Sequence, residues 1–140
     1  MQLFPAKAHR SAWPGIPLVA FLLLCSTSGC SDSSSPGDPT ALHFSQVTTA
    51  SNLTFDLRST GPHDGQPVLL LHGFPESSLE WTSQLEALGA AGYHALAPDL
   101  RGYSPGARPT DVAAYRIDHL SQDVLEIADA LRLRRFHLIG

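Results

Sequence analysis

The chain has 140 residues, enough for one folded domain at most, and its 43% hydrophobic and 16% charged residues are typical of a globular protein. The formal net charge is −4, and two of the nine basic residues, Lys7 and Arg10, precede residue 30, so the rest of the chain is more acidic. An acidic domain lacks the basic surface that holds nucleic acid, which excludes that class of partner.

The first 29 residues have the pattern of a signal peptide. Lys7 and Arg10 give a positively charged start, and the apolar run at 16–25 is shorter than the roughly 20 residues a membrane-spanning helix needs. The segment from Thr27 to Cys30 resembles the lipobox of bacterial lipoproteins, in which the signal is cut before a cysteine that is then lipidated. This resemblance implies lipidation of Cys30. Ordinary signal cleavage near Gly29 is the alternative, and both interpretations predict export.

Residues 30–40 are predicted to join a lipid anchor to a folded domain. After Cys30 the stretch "SDSSSPGDPT" cannot bury apolar surface and is typical of a flexible linker. The chain has two cysteines, Cys25 and Cys30, so none is left for a disulfide within the domain predicted over residues 41–140. We therefore expect a lipoprotein anchored to a membrane of a bacterial cell envelope, with a secreted or periplasmic protein as the alternative.

Three strands are predicted in the first part of the domain. Residues 42–49 and 53–59 alternate apolar and polar side chains, as half-buried strands do. Val68 to Leu71 is a continuous apolar run, which is typical of a strand in the interior of a parallel sheet covered by helices.

A strand, a helix and a further strand follow one another over residues 67–98. Ser77 and Glu80 have the spacing of a capping box at a helix start. Trp81, Leu85 and Leu88 then form one apolar stripe of a helix. Gly92 is a helix stop, and the next strand is predicted over 93–97.

A second helix is predicted from about His119, with Asp118 as its N-cap residue. Its buried face is defined by five apolar positions: Leu120, Val124, Ile127, Ala128 and Leu131. A last strand covers residues 136–139. Strands that alternate with helices predict an α/β fold with a mostly parallel sheet of about five strands and two helices.

Residues 102–106 match G-x-S-x-G, the pattern of the nucleophile elbow in serine hydrolases. An elbow needs a backbone N–H on the residue after the serine, yet Ser104 is followed by Pro105, which has none. No helical periodicity follows, and the preceding strand ends too early. We therefore interpret Ser104 as a turn residue and not as a nucleophile.

Three motifs, "LLLHGFPESS", "APDLRGYSPGARP" and "FHLIG", occur in this order over residues 69–140. Together they resemble the N-terminal part of the α/β-hydrolase superfamily, especially its epoxide-hydrolase-like and haloalkane-dehalogenase-like members, with serine esterases as another possibility. The resemblance covers about residues 41–140. It implies a sheet whose strand order begins 1-2-4-3-5.

The resemblance also assigns roles to residues. The backbone N–H of Phe74 is implied as an oxyanion-hole donor in a loop supported by His72, Gly73 and Pro75, with the peptide before Pro75 usually cis. Three further residues, Asp99, Arg101 and Gly102, are implied to brace a neighbouring loop.

Gly140 matches the first glycine of the family's nucleophile elbow, so the resemblance implies a nucleophile two residues further on. The chain is therefore expected to be truncated before this elbow, with no catalytic residue in this span and no activity alone. The parent is expected to be a hydrolase of small molecules, using a covalent intermediate on Asp or Ser. The alternatives are a non-catalytic, surface-tethered lipoprotein that serves as a binding module, and the product of a disrupted gene.

Besides His72, the domain predicted over residues 41–140 contains five histidines, which lack the spacing of metal ligands, and we expect neither a metal nor a cofactor. They are His43, His63, His94, His119 and His137.

Overall fold

The computed structural model describes residues 37–140. The signal peptide, the cleavage site and Cys30 therefore lie outside the described residues. The described elements are β1 (His43–Thr48), β2 (Thr54–Thr60), β3 (Pro67–Leu70), α1 (Thr82–Ala90), β4 (His94–Pro98), α2 (Ile117–Ala130) and β5 (His137–Ile139). Three short 3₁₀ turns cover Ser78–Trp81, Pro105–Ala107 and Val112–Tyr115. Within residues 37–140, neither helix is long and apolar enough to cross a bilayer.

The five strands form one sheet in the order β1-β2-β4-β3-β5, which is the order that the resemblance implies. The predicted α/β class is confirmed. The sheet is evenly mixed and not mostly parallel, because β1 pairs antiparallel with β2, and β2 pairs antiparallel with β4. The parallel part consists of β4, β3 and β5. A short turn joins β1 to β2, and such a turn permits only antiparallel pairing.

The apolar run of β3 is explained by its position between two layers of helix. On one face Val68 and Leu70 pack in a cluster with Leu85 of α1. On the opposite face Leu69 belongs to a second cluster, against which Val124 of α2 packs. Both faces of this strand are dry, so every position is apolar.

The predicted start of the first helix is confirmed in part. The Ser77 side chain accepts a hydrogen bond from the N–H of Leu79 at 3.4 Å, and one 3₁₀ turn precedes α1. Leu85 is fully buried, with Trp81 and Leu88 packed beside it, as the stripe predicts. Gly92 follows the helix at φ +84°, a conformation that favours glycine.

The prediction that Asp118 caps the second helix is wrong. The helix begins at Ile117, its N-cap residue is Arg116, and Asp118 lies in the first turn. There the Asp118 carboxylate accepts from Arg116 Nε at 3.2 Å, on the exposed surface. An acidic residue in the first turn is favourable because it faces the positive end of the helix dipole. The sequence therefore does not distinguish an aspartate in the first turn from one at the N-cap.

One histidine couples the fold to pH. His94 opens β4, and its ring lies edge-on to that of His63 with centroids 5.1 Å apart. Burial, and then the nearby His63, lower the pKa of His94 below its usual 6.5. The unfolded chain therefore binds this proton more readily, so the contribution of His94 to stability is greatest above about pH 6.5 and is lost as the pH decreases.

We expect the urea midpoint to be lower at pH 5.5 than at pH 7.5, and His94→Gln to reduce this difference. His119→Gln, at an exposed position on α2, is the matched control and should keep it. An equal pH difference in wild type and His94→Gln would contradict the assignment.

Candidate functional site

The candidate site begins with the loop that follows β3. In this loop His72 is 5% exposed, whereas Phe74 is 92% exposed. The Phe74–Pro75 peptide is cis, as the resemblance implies. Because β3 and β4 run parallel, the loop after β3 lies at the same edge of the sheet as the loop after β4.

The hydrogen bonds of His72 define its protonation state. Its Nε2 lies 2.9 Å from the N–H of Leu100, which can only donate, so Nε2 carries no proton. Its Nδ1 lies 3.0 Å from the carbonyl oxygen of Gly73, which can only accept, so Nδ1 carries the proton. His72 is therefore a neutral imidazole with both nitrogens engaged, which suits a bracing role and not that of a general base.

The bond from His72 also orients the Phe74 N–H. The Gly73 carbonyl and the Phe74 N–H belong to one planar trans peptide unit and point in opposite directions. The same carbonyl oxygen accepts from the N–H of Glu76 at 3.0 Å. Fixing the carbonyl therefore fixes the N–H, which has no hydrogen-bond partner within residues 37–140.

A cleft of about 220 Å³ adjoins this loop. It is lined by His72, Gly73, Phe74, Leu100, Arg101, Tyr103, Leu120 and Asp123. Four of the predicted site residues thus share one cleft, while Pro75, Asp99 and Gly102 do not line it. A larger groove of about 430 Å³ lies over β1 and β2, and Asp99 is the one predicted site residue on its wall.

Asp99, which directly follows β4, is hydrogen-bonded to two other elements behind the site. Its carboxylate accepts from the N–H of Ser78 at 2.7 Å, at the start of the 3₁₀ turn before α1. Its own N–H donates to the carbonyl oxygen of Asp56 in β2 at 2.8 Å. These contacts are typical of a residue that braces the loop, because the carboxylate is hydrogen-bonded to a backbone N–H.

Arg101 pairs with Asp123 on α2. Its Nε and Nη2 donate to the two carboxylate oxygens at 2.7 and 2.6 Å, with side-chain exposures of 10% and 4%. Hydrogen bonding to Asp123 raises the pKa of Arg101 above its usual value. Sequence reasoning missed Asp123. The sequence feature that could have indicated Asp123 is a carboxylate on the buried face of α2, between Leu120 and Val124.

Gly102 allows the chain to turn back after Arg101. Its φ is +92°, and its N–H donates to the carbonyl oxygen of Ala107 at 2.8 Å. A Cβ at this position would lie 3.1 Å from the Tyr115 ring. Beside it, the Tyr103 ring packs edge-on against the His72 ring, with centroids 4.5 Å apart.

Ser104 is buried, with no exposed surface. Its Oγ donates to the carbonyl oxygen of Asp99 and accepts from the N–H of Asp56 at 2.9 Å. Both functions of the hydroxyl are used to tie the loop to β2, and the 3₁₀ turn after it begins at Pro105. Ser104 is therefore a structural residue. No group of three or more His, Cys, Asp or Glu residues in the described part of the chain is placed to hold a metal ion.

A mixed sheet with a free N–H after its third strand, beside a cleft at the carboxyl edge, is the arrangement of α/β hydrolases. The sequence profile described as the alpha/beta hydrolase fold matches residues 66–140. The chain belongs to this family.

Among curated relatives, the chain is 41% identical over 76 residues to an epoxide hydrolase of Caballeronia sordidicola, which covers 54% of this chain and 23% of the relative. It is 39% identical over 95 residues to an AB hydrolase superfamily protein of Bacillus subtilis, covering 68% of this chain and 33% of the relative. The crystal structure of epoxide hydrolase A from Mycobacterium thermoresistibile matches with a TM-score of 0.67 and 34% identity, over 71% of this chain and 31% of that one. The chain thus spans only about a quarter to a third of the length of these three proteins.

Proposed function

We propose that the protein hydrolyses an epoxide through a covalent ester intermediate, with the Phe74 N–H as one donor of the oxyanion hole. The observation that carries the proposal is the Phe74 N–H, which has no hydrogen-bond partner within residues 37–140 and is oriented by His72 at the edge of the cleft. The names of the curated and structural relatives favour an epoxide as the substrate.

The reaction that suits this donor has two steps. A carboxylate oxygen bonds to an epoxide carbon while the ring C–O bond breaks, and the resulting alkoxide takes up a proton. Water then adds to the ester carbonyl, and cleavage of the acyl C–O bond releases the diol and restores the carboxylate. The second step passes through a tetrahedral oxyanion, which is the species that a preorganised N–H stabilises.

A serine nucleophile would pass through the same kind of oxyanion during hydrolysis of an acyl-enzyme. The Phe74 donor therefore suits both alternatives, and the choice of an aspartate rests on the epoxide-hydrolase relatives. We place the nucleophile in the turn that begins at Gly140, two residues beyond it, by the family pattern.

The experiment is a comparison of two substrates with the protein expressed from its whole reading frame. We expect styrene oxide to be converted to its diol and p-nitrophenyl acetate to be hydrolysed more slowly. Preference for the acetate would favour a serine esterase. Turnover of neither substrate would contradict the proposal and favour a non-catalytic binding module.

We also propose that a lipid on Cys30 holds the domain at a bacterial membrane. The first residues that the structure describes lie near the end of β2. There the Gly61 N–H donates a hydrogen bond to the Pro39 carbonyl oxygen at 3.0 Å. Thr60 is paired with Ala95, so this is the edge of the sheet where the parallel strands begin. The candidate site lies at the opposite edge. The described residues therefore enter the domain at the edge of the sheet away from the candidate site.

We expect Cys30→Ala to abolish incorporation of radiolabelled palmitate and to move the protein from the membrane to the soluble fraction of bacterial cells. Cys25→Ala is the matched control, because it removes a cysteine from the same region and should leave labelling unchanged. Labelling of Cys30→Ala at the wild-type level would contradict the anchor.

A further inference from the structure

Asp123 stands out because it is a buried carboxylate remote in sequence from every motif of the site. Asp123 is 3% exposed, and both of its carboxylate oxygens accept hydrogen bonds from Arg101. The other ion pair of α2, between Arg116 and Asp118, is exposed. Burying an ion pair is costly, so the pair is weak evidence for stability and calls for another explanation.

A chain of contacts connects this pair to the Phe74 N–H. Asp123 holds Arg101, and the preceding residue, Leu100, donates its N–H to His72 Nε2 at 2.9 Å. That bond leaves Nδ1 of His72 to carry the proton and donate to the Gly73 carbonyl oxygen at 3.0 Å. The planar peptide between Gly73 and Phe74 transmits this orientation to the N–H.

We infer that Asp123 is a positioning residue for the oxyanion loop, and that it acts through Arg101, Leu100 and His72. This inference rests on the proposed function for its catalytic consequence, whereas its structural consequence stands without it. Asp123 fixes the loop after β4 to α2, which sets the Leu100 N–H. That N–H in turn selects the single tautomer of His72 that keeps the Gly73 carbonyl in place.

The decisive variant is the double substitution Arg101→Met with Asp123→Leu. Replacing both partners by apolar side chains of similar size leaves no unpaired buried charge, so the domain should still fold. A purely structural pair would then be dispensable. A positioning pair would not be dispensable, because methionine and leucine pack together without fixing the direction of the loop after β4.

Two measurements on the full chain do not need turnover. In wild type, ¹⁵N NMR of the His72 ring should show the Nδ1–H tautomer alone, and the Leu100 amide should be protected from hydrogen exchange. In the double variant we expect both tautomers and exchange of the Leu100 amide at least about tenfold faster. A single tautomer with wild-type protection of Leu100 would overturn the inference.

The third measurement is turnover of styrene oxide by the whole protein. We expect kcat of the double variant to fall at least about tenfold with KM within about twofold, because the donor acts on the transition state. Asp118→Asn, which breaks the exposed pair on the same helix, is the matched control and should change neither value. An unchanged kcat in the double variant would overturn the inference. Failure of wild type to turn over would instead contradict the proposed function, and the NMR measurements would still decide the inference.

Discussion

Replacing Gly61 with alanine is expected to destabilise the domain by about 3 kcal/mol or more, since a left-handed backbone costs other residues about 1–2 kcal/mol and overpacking about 1–3 kcal/mol. Gly61 has φ +80°, and a Cβ built on it would lie 1.9 Å from the carbonyl oxygen of Tyr93. That oxygen is backbone, so the turn after β2 would have to move away from β4. Urea unfolding of the purified variant measures the loss.

Gly92→Ala is the matched control for Gly61→Ala. Gly92 has φ +84°, almost the same conformation, but a Cβ there would meet nothing within 4 Å. We expect this variant to lose only the conformational part, about 1–2 kcal/mol. Equal losses in the two variants would show that the clash with Tyr93 does not contribute.

Removing the Phe74 N–H is expected to have the largest effect on activity. Incorporating the α-hydroxy analogue of phenylalanine at position 74 replaces this N–H by an ester oxygen and keeps the side chain. Loss of one oxyanion donor costs about 10²–10³ in kcat. We therefore expect a loss of this size in the turnover of styrene oxide by the whole protein, measured at saturating substrate.

Phe74→Ala is the control for the ester variant, because it removes the exposed side chain and keeps the N–H. Its kcat should stay within about tenfold of wild type, with any larger effect confined to KM. If Phe74→Ala loses as much kcat as the ester variant, the side chain and not the N–H is the important group.

Much of the fold follows from local patterns in the sequence. The apolar run of β3, the stripe of α1 and the glycine after it were all predicted, because each depends on residues that are close in the chain. The start of α2 was not predicted correctly. Asp118 is favourable both as an N-cap residue and in the first turn, and the backbone of the preceding 3₁₀ turn determines which position it takes.

The site was predictable where one motif contains it, and less so where distant segments meet. The loop of His72 and Phe74 is a single motif, and the structure gives it the cis peptide that the resemblance implies. The pairing of Arg101 with Asp123 joins residues that are 22 apart, and the local pattern of α2 indicates only that Asp123 is buried and not which residue it pairs with. The burial of Ser104 likewise depends on β2, 48 residues away at Asp56, which an isolated G-x-S-x-G match cannot reveal.

Hydrolysis of an epoxide through a covalent ester is tested most directly by a single-turnover experiment in H₂¹⁸O. With the whole protein in excess over styrene oxide, the oxygen that enters the diol should come from the enzyme carboxylate. We therefore expect unlabelled diol in the first turnover and ¹⁸O in a peptide that follows Gly140. Labelled diol in the first turnover would show direct attack by water and contradict the claim.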